Sequence, residues 1–500
     1  MAQADKELVG AIPIAAPAAA APTDEPTAHG RHGRARLHGR DLTTGSIPRN
    51  LWFLAWPSMV SGLLQTVDHV AELVWAGLIS VQAIANIGVA QSWTSLFNTG
   101  RMGFDVATRA MVSRAVGAGE QDTADHIATQ ALVFNLYLSV LVTVFGWYFA
   151  PNLLRVLGVS ETVVEAGSLY MQLRFVATST FTMLYASGSI LQAAGDSVMP
   201  MKAQFISRCI HIPLSPFLMF GWLGLPNLGL AGSPVAATFA QTLAAIATIW
   251  VLASGQSRVR ISMRHIAPDL PLYWRMIKLG APASWTTGER SLAQLLLTGV
   301  VAPFGDITLA AYAVTQRMQG LVNLGQHGIG QAAGVMAGQN LGAKSVERAM
   351  SSTRWALVFS AVMSLIVAVV MFVEPTWVIM LFTRDAALIE ETIPWLRIMV
   401  IGFGVMSAGN VFTQVFNTSG DTLLPMLVNL GSIWLIQQPF ARMFSGSNTV
   451  DMFGFDFPLP VTFDFGSIGI AWAMILAIAV RLIFFVPYFL WGPWWRKRVL

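Results

Sequence analysis

The segment Ala194-Gly195-Asp196-Ser197-Val198-Met199-Pro200-Met201 returns as Ser419-Gly420-Asp421-Thr422-Leu423-Leu424-Pro425-Met426. Gly420 stands 225 residues after Gly195, and the same offset carries Pro57 onto Pro282, Gln91 onto Gln316, Gly103 onto Gly328 and Gly117 onto Gly342. A register held across so many landmarks is that of a duplicated unit of about half the chain. The periods of soluble solenoids are far shorter. In a membrane protein a two-fold internal repeat suggests two half-bundles with something passing between them.

Composition decides that the bilayer is the solvent. Apolar residues make up 54% of the chain and charged residues 11%, against roughly a quarter charged in soluble domains. Residues 131–150, 357–373 and 468–486 carry few or no charges. Each is near the roughly 20 residues that a helix needs to cross a bilayer, and helices are expected because every backbone polar group must be satisfied within the segment. The expected fold class is an all-α integral membrane protein with twelve transmembrane helices in two pseudo-symmetric six-helix bundles. The spans centre near Leu64, Phe97, Leu141, Phe175, Ile210 and Ala240, then near Gln294, Val322, Leu365, Gly402, Ile433 and Ala477.

Twelve spans place Arg49, Arg109, Arg114, Arg258, Arg260, Arg264, Lys344, Arg348, Arg496 and Lys497 on one side and Asp306, Asp385, Asp451, Asp456 and Asp464 on the other. The basic side is expected to be cytoplasmic, with both termini inside and the protein in the inner (plasma) membrane. The expected organisation is a disordered basic tail over 1–45, a first lobe over 46–256, a cytoplasmic linker over 257–273 and a second lobe over 274–500. Gly229 maps onto Gly469, so about fifteen residues are inserted in the loop at 445–467. Its Phe-Gly-Phe-Asp-Phe and Thr-Phe-Asp-Phe runs alternate with period two and could form a short hairpin, either a lid or a plain surface elaboration. The single cysteine, Cys209, allows neither an internal disulfide nor a cysteine metal cluster. Gly328-Ile329-Gly330-Gln331-Ala332-Ala333-Gly334 lacks the preceding strand of a dinucleotide loop and reads better as close helix packing. No basic-aromatic pattern for nucleic acid and no nucleophile-base set are found, so an enzyme ranks far last.

Pro57, Gln65, Glu72 and Gly77, then Val116-Gly117-Ala118-Gly119 with its copy Leu341-Gly342-Ala343-Lys344, resemble the MATE (multidrug and toxic compound extrusion) family. So do Ala193-Ala194-Gly195-Asp196-Ser197 and His211-Ile212-Pro213-Leu214-Ser215 ahead of Gly229-Leu230-Ala231-Gly232. The resemblance runs in order from about Leu51 to the C-terminus. It implies a secondary antiporter that exports cationic or amphipathic compounds by alternating access in exchange for protons or sodium. No cofactor is expected beyond the transported ion, and the chain is expected to act as a monomer. A flippase for lipid-linked sugars, from the wider superfamily, is the alternative.

Asp68 and Glu72 lie four apart on one helix face. Charge at bilayer depth is costly and usually faces a cavity. The pair could share one proton, or hold sodium when ionised; a structural hydrogen bond is the plainer reading. Val67-Asp68 looks like the family's Val-Asp pair, but counting from Pro57 places the family's acidic position on Glu72. His211 and Ser215 stand where the family commonly has asparagines, and Gln65 could add a polar contact; a histidine there favours protons. In the second lobe the family's glutamate position falls on Arg290, with Glu289 one residue away. Its aspartate position falls on Met406, with Asn410 one turn on. Glu289 and Asn410 are therefore a candidate second site. Gln91, Asn98, Gln316, Gln319, Asn323 and Gln414 are candidates for contacting substrate. Arg101 and Asp105 read as an intrahelical ion pair, and Arg174, Arg208, Arg317, Arg397 and Arg481 as arginines of which several reach the cytoplasmic interface. Across the repeat Asp68, Glu72 and His211 become Ala293, Leu297 and Ile436, so the first lobe is expected to couple the ion.

Overall fold

The computed structural model describes residues 39–156, 161–446, 449–452, 455–458, 462–497 and 499. The first lobe consists of α1 (Ile47–Gly77), α2 (Val81–Ala118), α3 (Gln121–Val156), α4 (Glu161–Ala193), α5 (Val198–Phe220) and α6 (Gly232–Ala253). The second consists of α7 (Leu270–Val301), α8 (Asp306–Gly342), α9 (Val346–Val373), a short α10 (Pro375–Ile379), α11 (Ala386–Ser419), α12 (Leu423–Gly431), α13 (Gln438–Phe444) and α14 (Ile468–Trp491). A π-helical turn, Ser432–Gln437, joins α12 to α13, so the described residues form twelve long rods. Every span centre expected from the sequence falls inside one of them. Five helices are long and apolar enough to cross a membrane on length and composition alone. On α9, Val358, Val362, Leu365, Ile366 and Val369 form an exposed apolar stripe at helical spacing, the face a lipid-bathed helix presents.

The repeat is visible in how the lobes touch. Gly117 on α2 lies against the backbone of Gln339 on α8, and Gly342 on α8 lies against the backbone of Arg114 on α2. These are the same contact seen from either half, because the 225-residue offset carries Gly117 onto Gly342 and Arg114 onto Gln339. In the same way Gly103 meets Gly280, and their counterparts Gly328 and Ala55 meet in turn. Small residues let the backbones approach this closely. All these contacts lie in the halves of α1, α2, α7 and α8 nearest the termini. Past Gly62 on Leu324 and Gly288 on Thr99, no further glycine-mediated contact joins the lobes among the described residues. The glycine-mediated contacts between the lobes are thus confined to the side of the terminal face among the described residues.

The terminal face carries more structure than a disordered tail over 1–45 would supply. Residues 1–38 lie outside the described residues, but 39–45 are docked. The Arg40 amide donates to the Gly195 carbonyl (3.2 Å), and Leu42 is fully buried. Arg348 donates to the Thr44 and Gly45 carbonyls at 2.8 Å each, and Arg258 to the Arg40 carbonyl at 3.0 Å. These backbone carbonyls, satisfied by side chains of both lobes, hold the segment in place. In the inserted loop, β1 (Thr449–Met452) pairs antiparallel with β2 (Phe455–Pro458). The hairpin forms, but its first strand comes from 449–452. The Thr462–Phe465 run instead returns to α13, with the Phe463 and Phe465 amides donating to the Met443 and Phe444 carbonyls.

A side chain at either symmetry-related glycine would press on a facing backbone. Gly117→Val and Gly342→Val are each expected to lower the thermal unfolding midpoint of the purified protein, at a cost of about 1–3 kcal/mol. Gly299→Ala, with nothing within 4 Å, should leave it unchanged.

Candidate functional site

Four helices of the first lobe converge on two carboxylates. Asp68 and Glu72 are four apart on α1, and both are buried. Arg208 and His211 sit three apart on α5, so they share the face that meets α1. Asp68 accepts from Arg208 Nη1 through Oδ2 (2.6 Å), and its Oδ1 lies 2.5 Å from His211 Nδ1. Glu72 Oε1 accepts from Ser233 Oγ at 2.8 Å, from Tyr170 Oη at 3.2 Å and from Arg174 Nη1 at 3.3 Å. Tyr170 and Arg174 are one turn apart on α4, and Ser233 opens α6. Arg174 also reaches Gln91 Oε1 with Nη2 (3.3 Å). His69, half-buried beside Asp68 on α1, adds another titratable group to the cluster.

Glu72, Asp68 and His211, expected together from the sequence, are thus brought together. Of the readings the sequence leaves open for this pair, a shared proton, a sodium ion or a structural contact, the geometry shows each carboxylate with its own guanidinium. A buried carboxylate of this kind is tolerable only when paired and hydrogen-bonded. The interfacial reading fails for Arg174 and Arg208, which lie mid-helix and point inward. Arg317 and Arg397 are exposed, Arg397 with its guanidinium 5.9 Å from the Phe372 ring centre, but both lie nearer the starts of α8 and α11 than the ends at the terminal face, so the cytoplasmic-interface reading does not fit them either. Tyr170 and Ser233 escaped sequence reading. An arginine in the middle of an apolar span demands a counter-charge, and that demand was the available signal for Arg174 and Arg208. Ser215 is buried with no partner for its hydroxyl, as is Nε2 of His211; Gln65 makes no hydrogen bond among the described residues. Arg101 and Asp105 form the intrahelical ion pair, with the guanidinium over the Phe181 and Tyr185 rings.

The second lobe is arranged differently. A cavity of about 120 Å³ is lined by Arg290, Gln316, Gln319, Asn323, Ile433 and Arg481, among others. Three expected substrate-contact amides therefore share one pocket. Gln316 donates to Tyr312 Oη (2.7 Å) and Gln319 to Met406 Sδ (3.1 Å), while Gln316 Oε1 and Asn323 Oδ1 are buried without a partner. The π-helical turn supplies Ile433 and Gln437 to the wall, and its Ser432 accepts from Arg481 Nε at 2.7 Å. Such turns re-aim side chains and are frequent at functional sites. Glu289 is buried behind this cavity, facing the Trp434 indole with Arg481 and Arg290 as its nearest cations. Asn410 donates to Gln326 instead (3.4 Å), so no hydrogen bond joins Glu289 and Asn410 into one site. Of the other candidate contacts, Asn98 has a buried, unpartnered Oδ1, and Gln414 packs against Gly330 on α8. No cluster of three or more metal-ligating side chains occurs among the described residues.

Known proteins share this fold. The chain is 23% identical to the probable multidrug resistance protein YoeA of Bacillus subtilis, over 84% of this chain and 91% of that one. It is 21% identical to the probable multidrug resistance protein NorM of Thermotoga maritima, over 91% and 94%. A solved multidrug resistance MATE family transporter of the MOP superfamily, in an outward-facing conformation, superposes with a TM-score of 0.80 at 20% identity, covering 92% of this chain and 97% of that one. The family model described as MatE matches residues 57–217 and 289–443, well over half of the chain, and the protein therefore belongs to the MatE family of membrane transporters rather than to any class of enzyme.

Proposed function

We propose that the protein is a proton-driven exporter of amphipathic small molecules, working by alternating access from an inner membrane with both termini in the cytoplasm. The observation that carries this reading is the full commitment of Asp68. One oxygen faces His211, the other Arg208, and Glu72 is held by Arg174. A sodium ion needs several oxygen ligands, and here it would meet guanidinium and imidazole groups where those ligands should stand. A proton needs only one carboxylate oxygen. When Asp68 takes a proton, its ion pair with Arg208 is lost, and the α1–α5 contact that the pair fastens is free to change. Release of the proton restores the pair and the original packing.

The confinement of the glycine-mediated lobe contacts to the terminal side supports an outward-open state. Protons enter from outside, loosen the first lobe and favour the inward-open state; there the proton leaves and the substrate binds. Each state is favoured by what it binds differentially. The arginine-rich sidedness of the loops supports the cytoplasmic placement of the termini. The relatives described as multidrug resistance proteins support efflux over a lipid-linked sugar flippase.

In proteoliposomes, dye movement is expected to follow an imposed pH gradient and to be indifferent to an imposed sodium gradient. Drive by sodium alone at matched pH would sink the proton reading. Asp68→Asn and Glu72→Gln are each expected to reduce gradient-driven transport by about tenfold or more, the range of a lost proton-transfer group. Arg208→Met leaves Asp68 buried beside His211 alone and should also destabilise the fold by about 3–5 kcal/mol, the usual cost of removing one partner of a buried pair. Equal thermal midpoints for Arg208→Met and wild type would contradict the pairing.

A further inference from the structure

The two lobes place opposite chemistry at equivalent positions. In the first lobe the space between α1 and α5 is filled by Asp68, Arg208 and His211. Their counterparts in the second are Ala293, Ile433 and Ile436. Ala293 and Ile433 line the cavity there. The ion pair and hydrogen bonds that close that space in the first lobe have no counterpart among these three apolar side chains. New charge has been added at the cavity's edge. Arg290 stands where the first lobe has Gln65, and Arg481, counted with the loop insertion, where it has Gln241.

We infer that the second-lobe cavity binds an anionic group, a carboxylate, sulfonate or phosphate carried on an amphipathic molecule. Two guanidiniums line it, and one carboxylate, Glu289, stands behind it, so one positive charge is left unbalanced. Arg290 makes no hydrogen bond among the described residues, and Arg481 uses only Nε, on Ser432. Its terminal nitrogens remain for a ligand, in the planar fork that suits carboxylates and phosphates. The Gln319 amide is spent on a thioether, a weak acceptor, and the Asn323 amide on nothing among the described residues. Both can complete the shell of an oxyanion. At about 120 Å³ the cavity takes a headgroup, not a molecule, since pockets that enclose a drug-sized ligand measure about 300–1,000 Å³. The ligand body lies instead outside the cavity, on the side where Arg290 is exposed. The resemblance implies cationic or amphipathic cargo; these side chains select an anionic group for this pocket.

The inference rests on the exporter reading for its physiological setting, but binding at equilibrium does not require pumping. Two dyes with one ring system separate the cases: fluorescein, an anion, and rhodamine 123, a cation. With the full chain in lipid nanodiscs at neutral pH, fluorescein should bind saturably. Arg290→Gln and Arg481→Gln together should weaken it by about tenfold or more, the scale of a lost charge-assisted contact, while rhodamine 123 affinity changes less than about twofold. Ala293→Leu fills the cavity with both arginines intact and should weaken fluorescein too, which covers an arginine variant that does not fold. Arg290→Lys should retain part of the affinity. Absence of saturable fluorescein binding by the wild type overturns the inference. So does unchanged affinity in both the double variant and Ala293→Leu. Arginine-dependent binding without transport of either dye in proteoliposomes would sink the exporter reading and leave the anion site standing. Rhodamine 123 transport on a pH gradient, with fluorescein binding indifferent to the arginines, would do the reverse.

Discussion

Asp68 sits between Arg208 and His211 at bilayer depth, and the first lobe is organised around keeping that charge neutralised. An unpaired carboxylate there would cost several kcal/mol. Pairing it requires α1 and α5 to stay in register, and pairing Glu72 requires α4 and α6 to close on the same face. Helix positions that would otherwise be set by soft apolar packing are thereby fixed by charge. The same dependence makes the lobe switchable. Under the proposed mechanism, one proton on Asp68 cancels the Coulomb attraction that fastens α5 to α1.

The second lobe keeps the scaffold and discards the charge pair. Its glycine contacts mirror those of the first: Gly342 on Arg114 repeats Gly117 on Gln339, and Gly328 on Ala55 repeats Gly103 on Gly280. These approaches bring the two lobes' backbones together at symmetry-related positions. What differs is chemical: a closed acid–arginine cluster on one side, an arginine-lined cavity with a π-helical wall on the other. In the proposed mechanism, symmetry supplies the motion and asymmetry divides the labour between ion and cargo.

Much of this is legible in the residues themselves. A repeat that carries Pro57 onto Pro282 and Gly117 onto Gly342 fixed two lobes and twelve spans, because the glycines it preserves are those at which backbones touch. Asp68, Glu72 and His211 stood out since polar residues inside an apolar span are expensive. Their arginine partners did not. Arg174 and Arg208 lie 102 and 140 residues from the acids they meet, and no local period links residues so far apart. The same limit hid Ser233 and Tyr170. Sequence spacing found Gln316, Gln319 and Asn323 on one helix, yet it held no sign that Arg481 of α14 would join them. It also missed the docking of 39–45, whose composition is that of a tail and whose anchors, Arg258 and Arg348, lie more than two hundred residues downstream.

The central claim is that a proton on the first-lobe cluster and a ligand between the lobes exclude one another. Proton release on ligand binding tests it directly. Saturating the purified, detergent-solubilised protein with a transported dye in weakly buffered solution should acidify the medium, and Asp68→Asn should abolish the change while still binding the dye. Equal proton release by wild type and Asp68→Asn, or none from the wild type at any pH where it transports, would contradict the account.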